Sequence, residues 1–120
     1  MAIDEVQALQ MLAGNRHLLR ELAAIFAEDS VLLVNAFDQA VEEQDATEAL
    51  QTIHSLKGIT ATFFAEPEVK LFATVETAAA HSDWSRLELA RKEISEAVTS
   101  IVREMHEKSW LSDASFCPKV

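Results

Sequence analysis

The chain has 120 residues, enough for one domain with a real core and too few for two of ordinary size. Its 20 acidic against 10 basic residues give a formal net charge of −10, which repels DNA, RNA and anionic lipid and argues against nucleic acid or a membrane surface as partner. Hydrophobic residues make up 49% while glycine and proline number two each, so little punctuates the chain and an all-α protein is expected.

The first apolar segment, Ile3 to Leu12, stops at Gly14-Asn15, a pair suited to a helix end or turn, and reads as a short leading helix. From Arg16 the apolar residues Leu19, Leu22, Ile25/Phe26, Leu32/Leu33, Ala36/Phe37 and Val41 recur every three or four positions, which predicts one long amphipathic helix. Asp45 can cap the next helix, with Glu48 completing a box-like pattern, and Ala46, Ala49, Leu50, Ile53, Leu56/Lys57 and Thr60 trace its buried side.

Pro67 suits the first turn of a further helix, where its missing N–H does no harm, and Leu71, Phe72, Val75 and Ala78/Ala79 give that helix an inner face. The pattern lapses at His81-Ser82-Asp83. Ser82 or Asp83 then caps a last helix striped by Leu87, Ala90, Ile94, Ala97/Val98, Ile101 and Met105, with Glu88–Lys92 and Glu104–Lys108 expected as ion pairs on its wet side. After Lys108 the periodicity ends, and for Trp110, Leu111 and Phe116 folding back and trailing in solvent are both open.

Four long helices with short connections pack most economically as an antiparallel up-down-up-down bundle with the short first helix added. Residues 1–109 are assigned to this single domain and 110–120 to a C-terminal tail. The tail holds the single Cys117, so an internal disulfide framework is ruled out, and no structural role is expected of that thiol. The acidic start, Met1 to Glu5, lacks the basic character of a signal peptide, and no stretch approaches the roughly 18 apolar residues of a membrane span. A soluble, cytoplasmic protein is expected.

Chemistry concentrates in His54-Ser55-Leu56-Lys57-Gly58. Helical spacing puts His54, Lys57 and Gly58 on one face, beside the buried stripe, as an imidazole followed one turn later by an ammonium and a missing side chain. Glycine inside a helix costs about 1 kcal/mol relative to alanine, which calls for either a close helix crossing or clearance for something approaching the ring. An ammonium within about 6 Å of a phosphoryl dianion gains on the order of 1–3 kcal/mol, less as salt screens it. The face is therefore suited to carrying a phosphoryl group.

Residues 18–105 resemble the histidine phosphotransfer domain family. The motif at 54–58 carries the likeness, with Leu18 to Leu22, Phe26, Ala40 to Asp45 and Ala49-Leu50 agreeing on its N-terminal side. The resemblance implies a four-helix bundle whose exposed histidine takes a phosphoryl group from a receiver-domain aspartate, or from a kinase, and passes it to a response-regulator receiver domain. His54 is then the phosphoacceptor, Lys57 steadies the phosphoryl group and Gly58 leaves it room. Glu76, 22 residues beyond the histidine, matches the Gln or Glu that holds the other ring nitrogen in this family.

The implied docking surface covers residues 47–62 and part of the preceding helix, with Thr47, Gln51, Ser55, Ala61 and Thr62 as its candidate contacts. Phe64 departs from the family, which usually has glycine near the end of the histidine helix. No glycine-rich phosphate loop or acidic Mg²⁺ cluster stands out, so no cofactor, no metal and no catalytic activity of its own are expected; the receiver supplies the aspartate and metal ion. The implied partners are receiver domains and a sensor or hybrid histidine kinase, met as a monomer.

Two other readings share the bundle: a docking adaptor without the chemistry, and the phosphoacceptor domain of a chemotaxis-type histidine kinase, for whose further domains 120 residues leave no room. A metal or haem bundle is disfavoured, because His17, His54, His81 and His106 fall on different helices and form no Glu-x-x-His pair.

Overall fold

The computed structural model describes residues 3–111. Among them are five helices and no strand: α1 (Glu5–Met11), α2 (Arg16–Glu43), α3 (Ala46–Ala61), α4 (Glu66–Ala80) and α5 (Trp84–Glu107). At 1.5 Å rise per residue the 28-residue α2 is about 42 Å long, and it sets the 40 Å long dimension of the molecule.

Gly14, at φ +76° and with its N–H on Leu9 C=O, closes α1 as expected, but the later helix ends are built from other residues. Gln44, Phe64 and Ser82, which follow α2, α3 and α4, all take the left-handed conformation at φ near +53°. The aspartates then serve two helices each. The Asp45 N–H donates to Ala40 C=O to close α2, while its carboxylate accepts from Glu48 N–H to open α3. Asp83 repeats the device between Ala78 C=O and Arg86 N–H. Such double use is why the connections are short. It also means that the expected box is half made, because the Asp45 N–H goes back to α2 and not to the Glu48 side chain. Of the two expected caps before α5 it is Asp83 that acts, and Pro67 sits in the first turn of α4 as expected.

Helix α3 packs between α2 and α4, and α5 closes the ring against the same two neighbours; the Cα atoms of α2 and α4 stay more than 8 Å apart, as do those of α3 and α5. The core within this ring is led by Phe26, Phe37, Ile53, Leu56, Phe72, Leu87, Ile94, Ile101 and Met105, all essentially buried. Arg91 ties α5 to α2 by bonding Asp38 at 3.2 Å and Glu42 at 2.9 Å.

Past the end of α3, Phe63 packs edge-on against Phe26 at 5.8 Å and lies 6.2 Å from the Trp110 ring. The chain before α1 is pinned there, as Asp4 N–H donates to Phe63 C=O and Ile3 N–H to Glu104 Oε1. Trp110 and Leu111 are buried, so of the two courses open to the residues after Lys108 these two fold back; Phe116 and Cys117 lie outside the described residues.

Two surface pairs differ from expectation. Glu88 bonds Arg91 at 3.1 Å in place of Lys92, because the fork of Arg91 already stands between the helices. Glu104 is buried, not on the wet side, since it receives the N-terminal backbone, and Lys108 reaches Glu5 at 3.3 Å.

Candidate functional site

The middle of α3 presents the site. Ile53, Leu56 and Thr60 turn into the core and fix the rotation of the helix, which leaves His54 outward with 69% of its side chain exposed. From α4, where Phe72, Val75 and Ala79 are buried, Glu76 emerges at the α3 edge. Its Oε2 lies 2.6 Å from His54 Nδ1 and its Oε1 lies 2.6 Å from Lys57 Nζ. One carboxylate therefore holds both His54 and Lys57 of the neighbouring helix.

The chemistry of this bridge follows from its donors and acceptors. An ionised carboxylate can only accept, so Nδ1 carries the proton and the lone pair of the neutral ring stands on Nε2. The Lys57 hydrogen bond, foremost, holds the Glu76 carboxyl below its ordinary value; partial burial opposes this, and the His54 bond adds to the lowering. The acceptor is thus kept ionised at neutral pH, and the exposed ring is held with Nε2 turned away from Glu76.

Gly58 is exposed, and a Cβ built on it would meet no heavy atom within 4 Å. The close-crossing explanation for a mid-helix glycine therefore fails. What the missing side chain leaves is open space one turn from His54. Thr47, Gln51, Ser55, Ala61 and Thr62 are all exposed and spread around His54 along the outer side of α3 and its C-cap.

Four of the sequence-derived residues, His54, Lys57, Gly58 and Glu76, thus meet at one place, and the other five surround it. Missed by the sequence reading were Ile25 and Leu32, exposed by 50% and 67%, which had been alternatives for the buried stripe of α2. Helical phase puts them on the edge of α2 away from α5, where α3 lies. The doubled apolar positions 25/26 and 32/33 were the available signal: a core-facing stripe needs one of each pair. No group of three or more potential metal ligands occurs among the described residues.

Fold and site define a helical domain that exposes an imidazole held at Nδ1 by a carboxylate from the neighbouring helix. A family model for the Hpt domain matches residues 21–106, and the chain belongs to that family of histidine phosphotransfer domains. Its members serve phosphorelays as phosphocarriers, not as catalysts in themselves, and meet receiver domains and kinases. Neither the curated proteins nor the solved structures that were searched give a match. No helix among the described residues is long and apolar enough to cross a membrane.

Proposed function

We propose that His54 is the phosphoacceptor of a relay, taking a phosphoryl group from a receiver-domain aspartate or a kinase and giving it to a response-regulator receiver domain. The observation that carries this reading is the 2.6 Å contact of Glu76 with Nδ1, because it frees Nε2 for attack. The Nε2 lone pair forms the bond to phosphorus as the bond to the aspartyl oxygen breaks and the electron pair leaves with the donor carboxylate. The Nδ1 proton stays on the ring, and Glu76 stabilises the positive charge that develops there.

Lys57 offsets phosphoryl charge, while the vacancy at Gly58 admits the donor's loop. The partner brings its aspartate and metal ion, and docks on Thr47, Gln51, Ser55, Ala61 and Thr62, with Ile25 and Leu32 of α2 supplying apolar area. The short connections between packed neighbours support an antiparallel up-down-up-down arrangement of α2 to α5. We take the domain to act as a cytoplasmic monomer, since its helices close their own core.

The test is transfer of labelled phosphoryl from a panel of phosphorylated receiver domains to the wild type and to His54→Gln. Label on the wild type alone, lost in acid and retained in base, is expected. A folded wild type that binds a receiver yet takes no label from any receiver or kinase would make the domain a docking adaptor.

A further inference from the structure

On the far side of the bundle from Glu76 and α4, a groove of about 380 Å³ runs between α2 and α5. Ala27, Val31 and Val34 form one wall and Val98 and Val102 the other. Val31 is 43% exposed, so this apolar lining is open to solvent. The volume falls within the roughly 300–1,000 Å³ usual for small-molecule sites.

The two ends of the groove differ. One turn beyond Asn35 and Ser95 the Arg91 clamp to Asp38 and Glu42 bridges the helices and blocks the way. Arg103 and His106 line the other end. Arg20, seven residues before Ala27, continues the α2 wall toward that end. In a chain with twice as many acids as bases, an arginine without a carboxylate is unusual, yet among the described residues neither Arg20 nor Arg103 makes an ion pair.

We propose that this groove binds a free medium-chain carboxylate, with the chain on the valines and the anionic head at Arg103. Charge complementarity selects the head: a cation with no ion pair among the described residues of an acidic protein, at the end of an apolar groove away from the Arg91 clamp. The blocked end selects a single chain over a partner helix, which is about 10–12 Å wide and would have to ride over the Arg91 clamp. The lining spans Ala27 to Asn35 and Ser95 to His106, about 12–16 Å at 1.5 Å rise per residue. Single bonds of about 1.5 Å advance about 1.25 Å each in an extended chain, so a chain of roughly ten to thirteen bonds fits.

The experiment titrates decanoate, below its micelle concentration, into the ¹⁵N-labelled full chain. Saturable shifts at the amides of Val31, Val34, Val98 and Val102 are expected. Affinity should fall at least tenfold in Arg103→Glu and in Val31→Glu, and for 1-decanol in place of decanoate. Both substituted side chains are exposed, circular dichroism checks their folding, and phosphoryl uptake on His54 should be unchanged in both. No saturable shift, shifts confined to other surfaces, or equal binding by Arg103→Glu overturns the proposal. So does a wild-type dimer that Val31→Glu converts to monomer, since the groove would then belong to a second copy.

Discussion

The Glu76 carboxylate closes on Nδ1 of His54 at 2.6 Å from the neighbouring helix, across 22 residues of chain. The same group takes Lys57 with its other oxygen, so tautomer and ammonium position depend on one residue. Replacing Glu76 by alanine should slow phosphoryl uptake about tenfold to a hundredfold, by analogy with the loss seen when the partner that orients a metal-bound histidine is removed. Glutamine keeps an acceptor for the Nδ1 proton but no charge for Lys57, and should retain uptake within several-fold of wild type. Imidazole ¹⁵N spectra separate orientation from general damage: alanine should give a mixture of tautomers, glutamine a single one. An alanine variant with the wild-type tautomer and rate would remove Glu76 from the mechanism.

A pH dependence follows from the same bridge. The Glu76 carboxyl titrates below its ordinary value of 4.5 when folded, so ionised Glu76 favours the native state. Its contribution is fully present above the unfolded value and disappears as pH falls through the lowered folded value. Urea midpoints of the wild type and Glu76→Gln should therefore differ near neutral pH and converge below pH 4.5. A gap that persists in acid would mean that packing, not charge, accounts for the difference.

At Gly58, stability and transfer should move in opposite directions. A Cβ there meets nothing, so Gly58→Ala should stabilise the domain by about 0.5–1 kcal/mol and raise the melting temperature by a few degrees. Gly58→Glu should also remain folded, yet it sets a negative side chain one turn from His54, the proposed phosphoacceptor, and should impair transfer. Thermal unfolding and label uptake on the same preparations decide the matter. A normal transfer rate in Gly58→Glu would show that the clearance is not used.

How much could be read in advance depended on whether a relationship lies within one helix. His54, Lys57 and Gly58 were legible because the 3.6-residue repeat fixes their relative positions whatever the helix packs against. Glu76 lies on another helix, and only the family resemblance singled it out. The exposure of Ile25 and Leu32 was hidden because either member of each doubled apolar pair satisfies the repeat, and only the placement of α3 selects Phe26 and leaves Ile25 out. Burial of Glu104 was beyond local reasoning altogether, since its partner Ile3 is 101 residues away.

Phe64 stands where the family resemblance leads one to expect glycine, and the difference concerns energy more than shape. The left-handed turn after α3 is formed, at φ +53°, by a residue whose Cβ costs roughly 1–2 kcal/mol there relative to glycine. The ring is half-buried against the core, and that packing offsets some of the strain. Comparing wild type with Phe64→Gly alone would mix the two effects, but comparing Phe64→Gly with Phe64→Ala does not, because both lose the ring and only glycine relieves the backbone. The glycine variant should therefore be the more stable by about 1 kcal/mol or more, the reverse of the order found at right-handed helical positions. Urea unfolding of the two variants measures it, and an alanine variant equal to or above glycine would mean that the turn at residue 64 is not left-handed in solution.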